Sequence, residues 1–362
     1  MREYHRPLKS GEMLRVRLIE PPLGGYEDKV GCWWTDVREE LLRGDFAQWL
    51  FTPYFVGELD GRVVASMTYY TAVEARDVGV VEFVSTDVDH RGKGVASAVM
   101  QVLLERFRED EGLALYLCTT NPIAGRLYEK HGFRYCVGDG MRYLSPDEVD
   151  FDQTYLSFCG PAQVRPSTWG DLARFAVLYN SSEPRWLVKD YPRRVFRDTR
   201  FESHFIRMMR GAEDAKGTVL ALENPRKRVV GAVALTEVDS FYEQHIKTLS
   251  FRICPAYLHQ TEELLLAAIQ KARDLSTEIL QVHIAACDEE QQRLVKTVGF
   301  EPEARLRGYL RDGDEREDLL IYTLRLPEVK QLVRERGDYY GGRQEWQAVR
   351  LSSPDYRSSD MI

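Results

Sequence analysis

No run of about 20 consecutive apolar residues interrupts this 362-residue chain, so a membrane-spanning helix is not expected. The opening residues Met1-Arg2-Glu3-Tyr4-His5-Arg6 lack the apolar core of a signal peptide. Cysteine is sparse. The six cysteines (Cys32, Cys118, Cys136, Cys159, Cys254 and Cys287) form no C-x-x-C pair, which argues against zinc and for a reducing, cytoplasmic setting. Cys118 and Cys287 fall in or beside predicted strands, where a small apolar filler is expected. The seven histidines follow no ligand spacing, so no metal is expected. A basic surplus is also missing: the formal net charge of −8 argues against a nucleic-acid partner. What remains is ordinary globular composition, 44% hydrophobic and 29% charged, in a chain long enough for two domains.

Against that background one segment stands out, Val81 to Ala96. Val81, Phe83 and Val84 suit a strand that Asp87 to His90 would end. Val95, Ala98, Val99, Val102, Leu103 and Phe107 then recur at helical spacing. Between them, Gly92 and Gly94 let backbone approach a ligand, and the helix start offers unpaired N–H groups. This combination predicts an anion site for a phosphate or pyrophosphate, with Arg91 and Lys93 at its mouth. The downstream Lys-Ser/Thr of a P-loop and the G-x-G-x-x-G of a dinucleotide fold are both absent. A second strand, Leu113–Cys118, leads to Asn121, Ala124 and Tyr128, with Gly132-Phe133 closing the next helix.

Arg91-Gly92-Lys93-Gly94-Val95-Ala96, followed by Asn121-x-x-Ala124-x-x-x-Tyr128-x-x-x-Gly132-Phe133, resembles the GNAT superfamily of N-acetyltransferases. The resemblance implies an α/β fold, a mixed and mostly antiparallel sheet flanked by helices and splayed at its centre, with acetyl-CoA lying in the splay. It implies that backbone at Val84, Ser85 and Thr86 pairs with the pantetheine arm, and that the amides from Arg91 to Ala96 hold the pyrophosphate. It also places Asn121 and Ala124 beside the cofactor and makes Tyr128 the acid that protonates the departing thiolate. A tyrosine of pKa near ~10 is a reasonable donor to a thiolate whose conjugate acid lies near ~8.5. Glu82 lies two residues before Val84, hence on the same strand face by simple alternation, where it would serve as general base or amine anchor. The family's best-known base position is Val80 here, so this role departs from the family pattern.

The elements around this segment are expected to repeat. Leu14–Ile19 reads as a strand, Glu20 to Leu50 as interrupted helices carrying Trp33, Trp34, Phe46 and Trp49, and Tyr54–Leu59 with Arg62–Thr71 as a hairpin about Asp60-Gly61. A second series follows: helices at Thr168–Asn180 and Arg193–Met209, strands at Gly217–Glu223, Val229–Val238 and Lys247–Ile253, a helix at Thr261–Leu275, a strand at Ile279–Ala285 and a helix at Asp288–Thr297. Arg193, Arg194, Arg197 and Arg200 would form a solvated face, and Arg226-Lys227-Arg228 a hairpin turn. Two tandem folds result: a catalytic domain at 1–150, a degenerate copy at 160–326 and a tail at 327–362 with a short helix at Val329–Arg336. In the second copy Leu258-His259-Gln260-Thr261 replaces the glycine turn, Val295 replaces the tyrosine, and Asp288, a good N-cap, replaces the asparagine. The aromatic stretch Tyr179 to Arg210 reads equally as a lid or as extra core.

The activity implied is direct transfer of acetyl from acetyl-CoA to a small-molecule amine, without a membrane or nucleic-acid partner. A protein amine, a longer acyl-CoA and a non-catalytic CoA sensor are the alternatives, and the second copy offers a surface for a homodimer.

Overall fold

The computed structural model describes residues 2–326 apart from 33, 146–149 and 239. Trp33 and the tail with its predicted helix lie outside the described residues.

The first half runs β1 (Arg2–Pro7), β2 (Met13–Ile19), α1 (Arg38–Arg43), β3 (Leu50–Phe51), β4 (Tyr54–Leu59), β5 (Arg62–Ala72), β6 (Val78–Thr86), α2 (Val95–Glu109), β7 (Ala114–Cys118), α3 (Pro122–Lys130), β8 (Arg134–Val137) and β9 (Gly140–Leu144). The second runs α4 (Phe151–Thr154), β10 (Gln163–Pro166), α5 (Leu172–Asn180), β11 (Val188–Asp190), β12 (Val195–Phe196), α6 (Glu202–Glu213), β13 (Thr218–Glu223), β14 (Val229–Glu237), β15 (Ile246–Ile253), α7 (Thr261–Asp274), β16 (Ile279–Ala285), α8 (Glu289–Thr297), β17 (Glu301–Asp312) and β18 (Glu315–Arg325).

Each half builds one mixed sheet, so the α/β class expected from the sequence is the one observed. The first is ordered β1-β2-β4-β5-β6-β7-β9-β8, with β3 on β5, and the second β10-β13-β14-β15-β16-β18-β17. All neighbours are antiparallel except one central pair in each sheet, β6 with β7 and β15 with β16. Those two parallel pairs are the ones joined through a helix, as a crossover requires.

Local chemistry explains the elements that hold the site. Asp60 and Gly61 both take positive φ (48° and 76°), the geometry of a tight two-residue turn between β4 and β5. The six apolar residues at helical spacing on α2 are all buried, against Phe55, Met67, Tyr69 and Leu115 of the sheet. Helix α5 is buried along all nine residues. It packs on β5 and β6 of the first sheet and on β14 and β15 of the second. A mostly apolar helix whose two polar residues, Arg174 and Asn180, are paired is the solution where one element must serve two sheets.

Several expectations are corrected. Residues 20–50 hold one short helix, α1, preceded by a single 3-10 turn at Thr35–Val37, where several helices were expected. The strand β1 escaped notice because its residues are polar and mostly exposed. The expected helix Arg193–Met209 is a short β11–β12 ribbon followed by α6, because Pro192 and the turn about Arg194 (φ 57°) end regular structure there. The aromatic stretch beyond Tyr179 is core: Tyr179, Trp186, Phe201 and Phe205 are buried, and Tyr179 stacks on Phe201 at 3.7 Å. Cys118 and Cys287 are exposed and Cys254 is the buried thiol, because both of the former lie where a strand gives way to a loop.

Candidate active site

Strand β6 opens the first sheet. Its parallel ladder with β7 runs only from Val78↔Ala114 to Val80↔Tyr116, so residues 81–86 keep a sheet neighbour on the β5 side alone. On that side the register slips between Ser66↔Ser85 and Thr68↔Glu82, a bulge that adds a residue to β6. Phe83 sits in it at φ 55°, a backbone region that bulky residues avoid. Its ring is held edge-on by Trp34 and by Tyr70, at 5.2 and 5.9 Å. Strain of this kind persists where surrounding packing over-determines it, and such places cluster at functional sites.

The bulge also corrects the strand alternation. Val81 and Val84 face the cluster under α2, whereas Phe83 joins Trp34 and Tyr70 on the other side. Glu82 and Val84 therefore do not share a face. Ser85 is fixed by a 2.9 Å hydrogen bond between its Oγ and that of Ser66, and Thr86 pairs with Ala65.

Beyond β6, Asp87 accepts the Asp89 N–H at 3.0 Å and starts a turn. Arg91 donates from Nε to the Thr86 carbonyl at 3.2 Å, folding the loop back on the strand. Gly92 and Gly94 have φ of 75° and 89°, and a Cβ on either would meet nothing within 4 Å. The conformation, not crowding, demands glycine there. Gly94 is the N-cap of α2 and supplies no side-chain cap, so the first amides of the helix have no intrahelical partner. Arg91, Gly92 and Lys93 are exposed, Ala96 is partly so, and Val95 anchors the turn in the core.

Across the opening, Asn121 caps α3 by accepting the Ile123 N–H at 2.9 Å, and Pro122 occupies the first helical position as its fixed φ favours. Ala124 packs on the α2 cluster. Tyr128 is 5% exposed and lies 5.8 Å from the Phe133 ring. Burial pushes its phenol up to about 12, and the nearby Glu82 charge adds to the effect. His131 is partly buried, with Nε2 2.8 Å from Ser97 Oγ; this ties α3 to the first turn of α2.

Glu82 is partly buried, and burial raises its carboxyl to about 7. Arg200 opposes that rise and Glu202 reinforces it. These two residues come from the second half, more than a hundred positions away, and sequence spacing gives no sign of them. Arg200, expected on a solvated face, is buried and bonded through Nε to Glu202 Oε2 at 2.9 Å. Glu82 thus lies near enough for its charge to act on Tyr128, and the glycine turn stands at the start of α2. Among the described residues no group of His, Cys, Asp or Glu could hold a metal ion.

The second sheet opens in the same place and is filled. Its parallel ladder ends at Thr248↔Gln281, but β15 pairs with β14 without a bulge. Strand β11 packs against both β15 and β16. Asp190 on it accepts Ser250 Oγ at 2.9 Å, and Tyr191 stacks on His283 at 4.1 Å. Asp288 does not cap its own helix as expected; its carboxylate accepts the Leu187 N–H instead. At the place of the glycine turn, Gln260 bonds both the N–H and the carbonyl of Ala162, each at 2.9 Å.

Residues 26–133 match the acetyltransferase (GNAT) family. The matched GNAT segment runs from Tyr26 through the bulge, the glycine turn and Tyr128, and ends at Phe133; it takes in less than a third of the chain. No curated protein matches the sequence. Among solved structures, the chain is similar to a ribosomal-protein-alanine N-acetyltransferase from Brucella melitensis, at 20% identity over 45% of this chain and 99% of that one, with a TM-score of 0.40. It is similar as well to a GNAT superfamily phosphinothricin acetyltransferase from Sinorhizobium meliloti in complex with AcCoA, at 13% identity over 46% and 89% of the two chains, with a TM-score of 0.41. An N-acetyltransferase from Staphylococcus aureus Mu50 gives 18% identity, 46% and 99% coverage and a TM-score of 0.40. No helix among the described residues is long and apolar enough to cross a membrane.

Proposed function

We propose that this protein transfers an acetyl group from acetyl-CoA directly to the amine of a small molecule, and that the first half supplies the groups that bind the cofactor and move protons. The observation that supports this most is the conjunction at β6: a bulged strand that loses its β7 partner past Val80, a glycine turn with open left-handed backbone, and Glu82 near enough for its charge to raise the Tyr128 phenol. Acetyl-CoA fits this donor set. The amides from Arg91 to Ala96 suit a pyrophosphate, because an uncapped helix start presents N–H groups and a positive dipole end. The unpaired edge of β6 at Val84, Ser85 and Thr86 suits an amide-bearing arm that needs strand-like partners. Asn121 and Ala124 line the opposite side. When bound, acetyl-CoA supplies an activated thioester carbonyl.

The residues then divide the work. Backbone N–H at Val84, just past the bulge, stabilises developing oxyanion charge. Glu82, with an acid constant near 7, takes the proton of the ammonium acceptor, directly or through water. Tyr128 holds its proton up to about 12 and so carries one to deliver to the leaving sulfur. No covalent enzyme intermediate is needed.

The second half reads as a non-catalytic copy. Its strand order and its single parallel pair are those of β2-β4-β5-β6-β7-β9-β8, while β11 occupies its opening. The deciding experiment incubates the full chain with acetyl-CoA and a panel of small amines while free thiol is followed. Amine-dependent thiol release supports the reading, and CoA binding without release under any amine overturns it in favour of a sensor.

A further inference from the structure

Arg200 approaches the active site from the far side of the first sheet. A Cβ on Gly140 would lie 2.4 Å from Arg200 Cδ, and one on Gly138 would lie 2.2 Å from the Asp198 carbonyl oxygen. The turn before β9 and the first residue of that strand therefore accept this segment because both positions lack a side chain. Gly140 is paired with Cys118 at the end of β7. The β6–β7 register ends at Val80↔Tyr116, so Cys118 is level with Glu82 across the opening. Arg200 thus stands beside β7 at the height of Glu82.

Its guanidinium is fixed but incompletely used. Nε and Nη2 form a two-point pair with Glu202, and Asn180 Nδ2 donates to the same carboxylate at 2.9 Å. Nη1 is buried and has no hydrogen-bond partner. A buried charged donor left unpaired is costly and calls for a functional reason.

We propose that Arg200 is a positioning residue for Glu82: its Nη1 receives the Glu82 carboxylate when that group is ionised, so the second half completes the active site of the first. The inference rests on the reading of Glu82 as base. The ionisable groups that interact with the Glu82 charge are Arg200 just before α6, Glu202 at its start, Tyr70 on β5, Tyr128 on α3, Cys118 on β7 and Cys32 in the loop before α1. Of these Arg200 is the one cation, and it favours the ionised carboxyl while Glu202 disfavours it.

The test is a pair of substitutions with opposite signs. Arg200→Gln moves the titration of Glu82 to higher pH by about one unit or more, and Glu202→Gln moves it to lower pH. Arg200→Lys, which keeps the charge, stays near the parent. Glu82 is titrated directly by infrared difference spectroscopy, using Glu82→Gln to assign its band, and the pH profile of kcat/KM is measured beside it. Below the limb, each unit of upward shift costs tenfold in rate. Opposite displacements of the band support the proposal, and displacement of both variants in one direction, or of neither, overturns it. Should Arg200→Gln fail to fold, the lowering by Glu202→Gln and the null effect of Arg200→Lys still decide. If the band moves as expected and the rate profile does not follow, the base assignment falls while the positioning of Glu82 by Arg200 stands.

Discussion

Asp288 accepts a 2.8 Å hydrogen bond from the backbone N–H of Leu187, joining the start of α8 to the strand that fills the second opening. In the first half Asn121, which precedes α3, spends its oxygen on its own helix, at Ile123. One side chain leaves a cleft open and the other helps to close it. Burial raises the Asp288 carboxyl to about 6, although its backbone partners at Leu187 and Val188 pull the other way.

That shift has a defined sign. A carboxyl harder to ionise in the fold than in the unfolded chain stabilises the protein at low pH, and this contribution is lost as pH rises through about 6. Asp288→Asn keeps an acceptor for Leu187 and removes the charge. Chemical denaturation from pH 4 to 7 is expected to show equal or greater stability at pH 7 and a flatter pH dependence than the parent. A clear loss of stability at pH 7 would refute this account.

Glu82 gives a prediction for catalysis. A base acts when ionised, so kcat/KM of the parent rises with pH through about 7 and levels above it. Glu82→Gln is expected to lower the plateau roughly 10²–10⁴-fold and to remove that limb. Steady-state rates from pH 5.5 to 9 check both features. A retained limb in the variant would assign it to another group.

For Tyr128, turnover and stability should separate. Among the described residues its hydroxyl has no hydrogen-bond partner, while its ring is packed near Phe133. Tyr128→Phe keeps the ring, so stability is expected to change by no more than about 0.5 kcal/mol. Turnover falls on the order of 10²-fold through loss of the proton donor. Full turnover in the variant would end the general-acid assignment.

Gly94 tests the cofactor cradle. Its φ of 89° is strained for any side chain, although the protein itself leaves room for one. Gly94→Ala is expected to cost about 1 kcal/mol of stability and to weaken acetyl-CoA binding roughly tenfold or more by crowding the phosphates. Calorimetric titration with CoA reads the second effect, and unchanged affinity would move the pyrophosphate elsewhere.

The sequence by itself determined what depends on local chemistry. Asp60-Gly61 specified a hairpin, the spacing from Val95 to Phe107 specified a buried helix face, and Gly92 with Gly94 marked the open turn between strand and helix. Glu82 and Tyr128 were legible as candidates because they flank that turn at recognisable spacings. Tertiary structure decided the rest. The bulge at Phe83, which separates Glu82 from Val84, follows from pairing with β5 and from the grip of Trp34 and Tyr70, and strand alternation carries no trace of it. The β12 strand that pairs with the β11 plug is built from residues whose pattern reads as a helix. Arg200 reads as one more solvated arginine, because nothing local shows that Gly140, sixty positions earlier, leaves the space it fills. Backbone preference acts over a few residues, whereas burial and charge pairing act between surfaces that only folding brings together.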